Sequence, residues 1–295
     1  MQKIVFAHIA LFLANTIYAI NYLYAKDVMA MGEISPTGFI LLRVMGASLL
    51  FFFIHFFFIK ERISKIDRLY LIICAVFGVV INMLCFFHGL DQTSEVNAAL
   101  IMITTPLMVY ILSCFLSREK WTIRRALGVL LGLFGAGFLI LNSPKTVGGS
   151  SNIGDMLVFV NAFSYAIYLI MIKSMMKKYH PVTVLKTIFL IGTIIILPFG
   201  WMDVPSVTDF SNMSLEIIFK ILFVILFTTC GAYFLNIFAV SYLRSSTVAF
   251  YIYLQPLLTT LLMILVGEDP FTMITVISAA CIFTGVYFVI KRKKI

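Results

Sequence analysis

Polar side chains recur at helical spacing inside segments that are otherwise apolar. Asn15, Tyr18 and Tyr22 stand at i, i+3 and i+7, with Lys26 four residues further on. Asn161, Tyr165 and Tyr168 follow i, i+4 and i+7, as do Thr229, Tyr233 and Asn236. Thr247, Tyr251, Gln255 and Thr259 recur at every fourth residue, Asn97, Thr104 and Thr105 share a face, and Asn82 lies one segment earlier. Such spacing aligns residues on one side of a helix. Amide and phenol groups so aligned can exchange hydrogen bonds with a polar solute. The expected binding set is Asn15, Tyr18, Tyr22, Asn82, Asn97, Thr105, Asn161, Tyr165, Tyr168, Tyr233, Asn236, Tyr251 and Gln255, lining one central cavity. The competing reading gives them only interhelical hydrogen bonds, each worth about 0.6 kcal/mol on average. Alignment on several segments at once favours the cavity.

Other residues have a chemistry with two readings. Pro106 and Pro256 each withhold a backbone donor in mid-segment and are expected as hinges, with a static kink as the alternative. Arg43 lies about 10 Å into its segment at 1.5 Å of rise per residue. It could grip a carboxylate with paired N–H groups, snorkel outward, or pair with Asp27 or Glu33; a structural role is expected. Glu119 precedes Thr122, an expected helix N-cap, and helix-dipole stabilisation accounts for it and for Glu268. His88 could relay protons, although a lone hydrogen-bonded His is the commoner case.

The elements carrying these residues have an unusual composition. Of 295 residues, 62% are hydrophobic and 12% charged, with a mean hydropathy of +1.06. Soluble domains are roughly half apolar and about a quarter charged, and a single core stops growing near this length. A soluble, a disordered and a disulfide-stapled chain are all excluded. A spanning helix needs about 20 apolar residues. Ten such segments occur, near 4–25, 37–59, 69–90, 96–117, 123–141, 154–172, 183–201, 217–242, 247–266 and 271–290. Backbone groups in lipid must be satisfied internally, so each segment is expected to be helical. The fold class is all-α, a polytopic membrane protein of ten transmembrane helices. The first segment is too long for a signal peptide and lacks a cleavage site, so it is expected to remain.

Charge sets the expected orientation. With the N-terminus inside, 17 of the 22 Lys and Arg residues fall on the cytoplasmic side, as the positive-inside rule requires. Both termini are then cytoplasmic. The net charge of +9 is a topology signal and implies no nucleic-acid partner.

The chain also resembles itself. Tyr18-Ala-Ile and Lys26 parallel Tyr165-Ala-Ile and Lys173, and Pro36 and Pro181 open the following segments. Ala99, Pro106 and Leu107 recur 150 residues later as Ala249, Pro256 and Leu257. The expected units are 1–145 and 146–295, joined by the Gly/Ser-rich stretch that runs from Pro144 to Ser151. Five helices per unit force the second to cross in the opposite sense, giving two inverted five-helix repeats of the kind secondary transporters use.

Ten helices in two halves resemble the drug/metabolite transporter superfamily, specifically its EamA-type branch. The resemblance rests on Pro36 with Arg43, on Pro106, on Glu119-Lys-Trp-Thr122, and on Gly128, Gly132, Gly135 and Gly137 after it. Pro256, Glu268 and Gly285 repeat the scheme. The chain departs from it in the spacing of Pro256 to Glu268 and in lacking a counterpart of Arg43 near Lys186. The resemblance implies a transporter fold, in a family that carries amino acids, other metabolites and toxic compounds.

No phosphate-binding loop, zinc motif or nucleophile elbow occurs in the chain. No carboxylate lies deep in a span. The expected protein is therefore not an enzyme and needs no metal or cofactor. It is read as a secondary transporter in a bacterial inner membrane, exporting amino-acid-like or amphipathic small molecules by alternating access, as a monomer or homodimer in the lipid bilayer. Uptake of a metabolite or vitamin is the alternative, and an intramembrane enzyme a remoter one.

Overall fold

The computed structural model describes residues 2–30, 35–117, 119–142, 151–203, 214–267 and 271–290, with backbone alone at 22, 23, 25–30 and 95. Glu33, the 143–150 join, Glu268 and the Lys291–Lys294 tail lie outside these residues, as do the side chains of Tyr22, Lys26 and Asp27.

Among the described residues, ten helices are long and apolar enough to cross a membrane. They are α1 (Gln2–Ala30), α2 (Pro36–Phe58), α3 (Lys65–Gln92), α4 (Val96–Leu116), α5 (Ile123–Leu141), α6 (Asn152–Met175), α7 (Pro181–Asp203), α8 (Leu215–Tyr242), α9 (Ser245–Val266) and α10 (Met273–Ile290). Their starts are written in local chemistry. Ser35, Ser64, Ser94, Ser151 and Ser214 each accept a hydrogen bond from a backbone N–H of the first helical turn. Pro36 and Pro181 occupy first-turn positions, where a missing N–H costs nothing. Between these caps the outward faces are apolar: Phe52, Phe53, Phe56 and Phe57 of α2 are all exposed. In water such a surface would aggregate; in a bilayer it meets lipid.

The packing has the symmetry of a repeat. Helix α3 packs on α6 and α1 on α8; α4 packs on α6 and α1 on α9; α3 packs on α7 and α2 on α8. Helices α2 and α7, α4 and α9, and α5 and α10 pair with each other. Exchanging each helix with the one five places away maps this set onto itself. The irregular stretches match as well. Helix α3 widens to π geometry at Val76–Val80, and α8 does so at Val224–Ala232. Helix α4 breaks at Ile103–Thr104, and α9 tightens to a 3₁₀ turn at Tyr251–Tyr253. A shift of 150 residues carries Lys65 to Leu215 and Gln92 to Tyr242.

Small residues set the closest crossing. A Cβ on Gly285 would come within 2.6 Å of the Gly128 carbonyl oxygen, so α5 and α10 meet backbone to backbone. The glycine stripe of α5 thus packs within one chain.

Candidate substrate-binding site

The interior is polar where the two π segments pass each other. A π turn frees a carbonyl from the regular ladder, and side chains recruit it. In α8 the Thr229 hydroxyl donates to Val224 O at 2.9 Å and accepts from Arg43 Nε at 3.0 Å. In α3 the carbonyls of Phe77 and Gly78 accept from the Ser164 and Tyr233 hydroxyls, at 2.6 and 3.4 Å.

Arg43 is 5% exposed, with its guanidinium 5.1 Å from the Phe87 ring centre and 5.7 Å from that of Phe39. No carboxylate among the described residues lies within ion-pair distance of it, and its Nη groups make no hydrogen bond there. Asp27 and Glu33, the partners expected from sequence, fall outside the described side chains. A cation in mid-span costs about 2.5–3.5 kcal/mol on insertion scales, and aromatic faces return about 0.5–2 kcal/mol. Arg43 is thus held at a cost by one hydroxyl and two rings.

Around it lie aromatic residues from both halves. The Tyr18 phenol oxygen accepts from Asn236 Nδ2 at 3.3 Å, and Tyr18 is within electrostatic reach of Arg43, Tyr165 and Tyr233. Tyr165 and Tyr168 have ring centres 6.0 Å apart, and the Tyr233 ring stands edge-on to Phe189 at 5.2 Å. Tyr18 and Tyr165 are partly accessible and lie within electrostatic reach of each other. Asn161 Nδ2 donates to Asn82 O at 2.5 Å, while Asn161 Oδ1 and the Tyr168 hydroxyl are buried without partners. An orphaned buried polar group costs about 1–3 kcal/mol, which a bound solute or water can return.

The remaining expected residues are spread along the bundle. Asn15 Oδ1 accepts from Gln255 Nε2 at 2.9 Å, clasping α1 to α9. Nearer the face that carries the N-terminus, Tyr251 meets His8 Nδ1 at 2.8 Å. At the opposite end Asn97 Nδ2 donates to Asp155 at 3.4 Å, and the Thr93 hydroxyl donates to the same carboxylate. Thr105 is fully buried, and its hydroxyl has no partner. Tyr22 carries no described side chain. Pro106 and Pro256 each stand in the first turn after the break in α4 and the 3₁₀ turn in α9, so both prolines restart a helix. His88 Nε2 is 3.0 Å from the Thr37 hydroxyl.

Glu119 differs from expectation. Thr122 sits at the N-cap of α5 without a side-chain cap, because Tyr110 OH takes up its backbone, accepting from Thr122 N at 3.0 Å and donating to Thr122 O at 3.1 Å. Glu119 instead accepts from the Ser246 hydroxyl at 2.7 Å, tying the α4–α5 connection to α9. It borders a recess of about 470 Å³ shared with Lys120, Lys173, Lys177 and Arg244. On the same face Lys178 donates to Asp67 at 2.7 Å, and that carboxylate raises the lysine pKa.

The sequence left Arg43 open between a carboxylate grip and a structural role, and among the described residues it has no acidic partner. The signal was present, because no acidic residue stands three or four positions from it in α2.

Among the described residues, ten helices apolar enough to cross a membrane pair about a pseudo-twofold axis with polar groups between them, the architecture of a multi-pass membrane transporter. The family model described as EamA-like transporter family matches residues 5–141 and again 152–291, and the chain belongs to that family. It is 24% identical to the uncharacterized transporter YetK of Bacillus subtilis over 264 residues, 86% of this chain and 78% of that one. It is 26% identical to an uncharacterized transporter of Archaeoglobus fulgidus over 287 residues, 95% and 96% of the two chains. A crystal structure of a protein with 16% identity matches the fold with a TM-score of 0.78 over 96% of each chain.

Proposed function

We propose that this protein moves amino-acid-like or amphipathic small molecules across a bacterial inner membrane by alternating access, in the direction of export. The supporting observation is that Tyr18 and Tyr165, partly accessible and from equivalent helices of the two halves, lie within electrostatic reach of each other; we take the space between the halves as the solute path. Rocking of one half against the other would open that space to each side in turn, and a solute shifts the balance only through its differential affinity for the two states. The cytoplasmic placement of both termini follows the bias of basic residues.

The test is counterflow in proteoliposomes across a panel of labelled amino acids, amines and aromatic solutes. Saturable exchange that empty vesicles lack supports transport, and its absence for the whole panel opposes it. Uptake of a metabolite or vitamin predicts net flux toward the side holding the termini.

A further inference from the structure

Arg43 is a permanent cation inside a bilayer-spanning bundle. Its described neighbours hold it in place but do not neutralise it. Thr229 takes only Nε, and the centres of the Phe39 and Phe87 rings stand 5.7 and 5.1 Å from the guanidinium. The two Nη groups make no protein hydrogen bond among the described residues. They are also absent from the polar atoms sealed away without a partner, so they are not fully closed off. Tyr18 and Tyr233 lie within electrostatic reach. Two coplanar N–H groups with no anion among the described residues fit a carboxylate, which Arg binds in bidentate fashion.

We propose that Arg43 is the anion-recognising residue of the central site and that the transported solute carries a carboxylate. The assignment rests on the transporter reading above and narrows it. A solute carboxylate would complete the charge balance that the described residues leave open, so binding is strongest for solutes that bring one. Thr229 acts as a positioning residue, because its hydroxyl is fixed by Val224 O and in turn fixes Nε.

Counterflow of labelled L-amino acids and 2-hydroxy acids provides the test. Each carried acid competes against its own alcohol, in which CH₂OH replaces the carboxylate. The wild-type protein should prefer the acid by about tenfold or more. Arg43→Gln should collapse that preference toward unity, and Arg43→Lys, which keeps charge without the fork, should restore only part of it. Thr229→Val leaves the charge in place and should raise KM for the acid several-fold, so it decides the matter should Arg43→Gln fail to fold. Equal competition by acid and alcohol in the wild type, or an unchanged preference in Arg43→Gln, overturns the carboxylate assignment and leaves transport standing. So does carriage of amines or neutral solutes alone, or an unaltered KM in Thr229→Val. No exchange of any solute removes the transporter reading itself.

Discussion

Asn15 and Gln255 show how a polar residue in a span has two uses. Each was expected to face solute, and the structure closes them on each other at 2.9 Å. Replacing one leaves the other unpaired in the interior, whereas replacing both with apolar groups of similar shape removes the penalty. Asn15→Leu and Gln255→Leu should each lower thermal stability, and the double variant should recover most of the loss. A coupling energy of about 0.6–1.7 kcal/mol is the range for such pairs in membranes. Unfolding of the four proteins in detergent measures it, and zero coupling would separate the two residues. Residue identity was legible from spacing alone, since Asn15, Tyr18, Asn161 and Tyr165 do stand inside the bundle. Partnership was not legible, because the hydrogen bonds of Asn15 and Asn161 join residues 240 and 79 positions apart.

At the scale of the element, the ten spans and most of their ends follow from hydropathy and from the capping serines and prolines. The expected 217–242 is observed at Leu215–Tyr242, and the fifth segment falls where it was placed. What hydropathy misses is the irregularity within helices. Val76–Val80 reads as ordinary apolar helix, and its π geometry follows from what packs on it. A Cβ on Gly78 would lie 2.3 Å from Cδ2 of Tyr168, so only glycine lets that ring lie against the turn. Gly78→Ala should cost about 1–3 kcal/mol of stability through overpacking, and Tyr168→Ala placed on that background should relieve it. Melting curves of the single and double variants decide. The prolines make a second element-scale prediction. Each restarts a helix after a break, so Pro106→Ala and Pro256→Ala should slow counterflow severalfold with KM little changed. Reduced expression with unaltered turnover per folded molecule would make the breaks static.

For the whole molecule, the pairing of helices about a pseudo-twofold axis is the feature from which function is argued. It was legible because paired prolines, tyrosines and lysines survive at a near-constant shift, and because five helices per half is an odd number. Orientation is the first thing to check. A reporter fused after Ile295 should read cytoplasmic and one inserted between Gly148 and Gly149 external; both on one side would remove the inversion. The central claim is that a single interior space, lined by Tyr165, is exposed alternately to the two sides. The most direct measurement uses a variant with the five native cysteines replaced and Tyr165→Cys introduced, oriented in vesicles. A membrane-impermeant thiol reagent is applied from each side separately. The account predicts modification from both sides, slowed by a transported solute. Modification from one side only, or from neither, would contradict it.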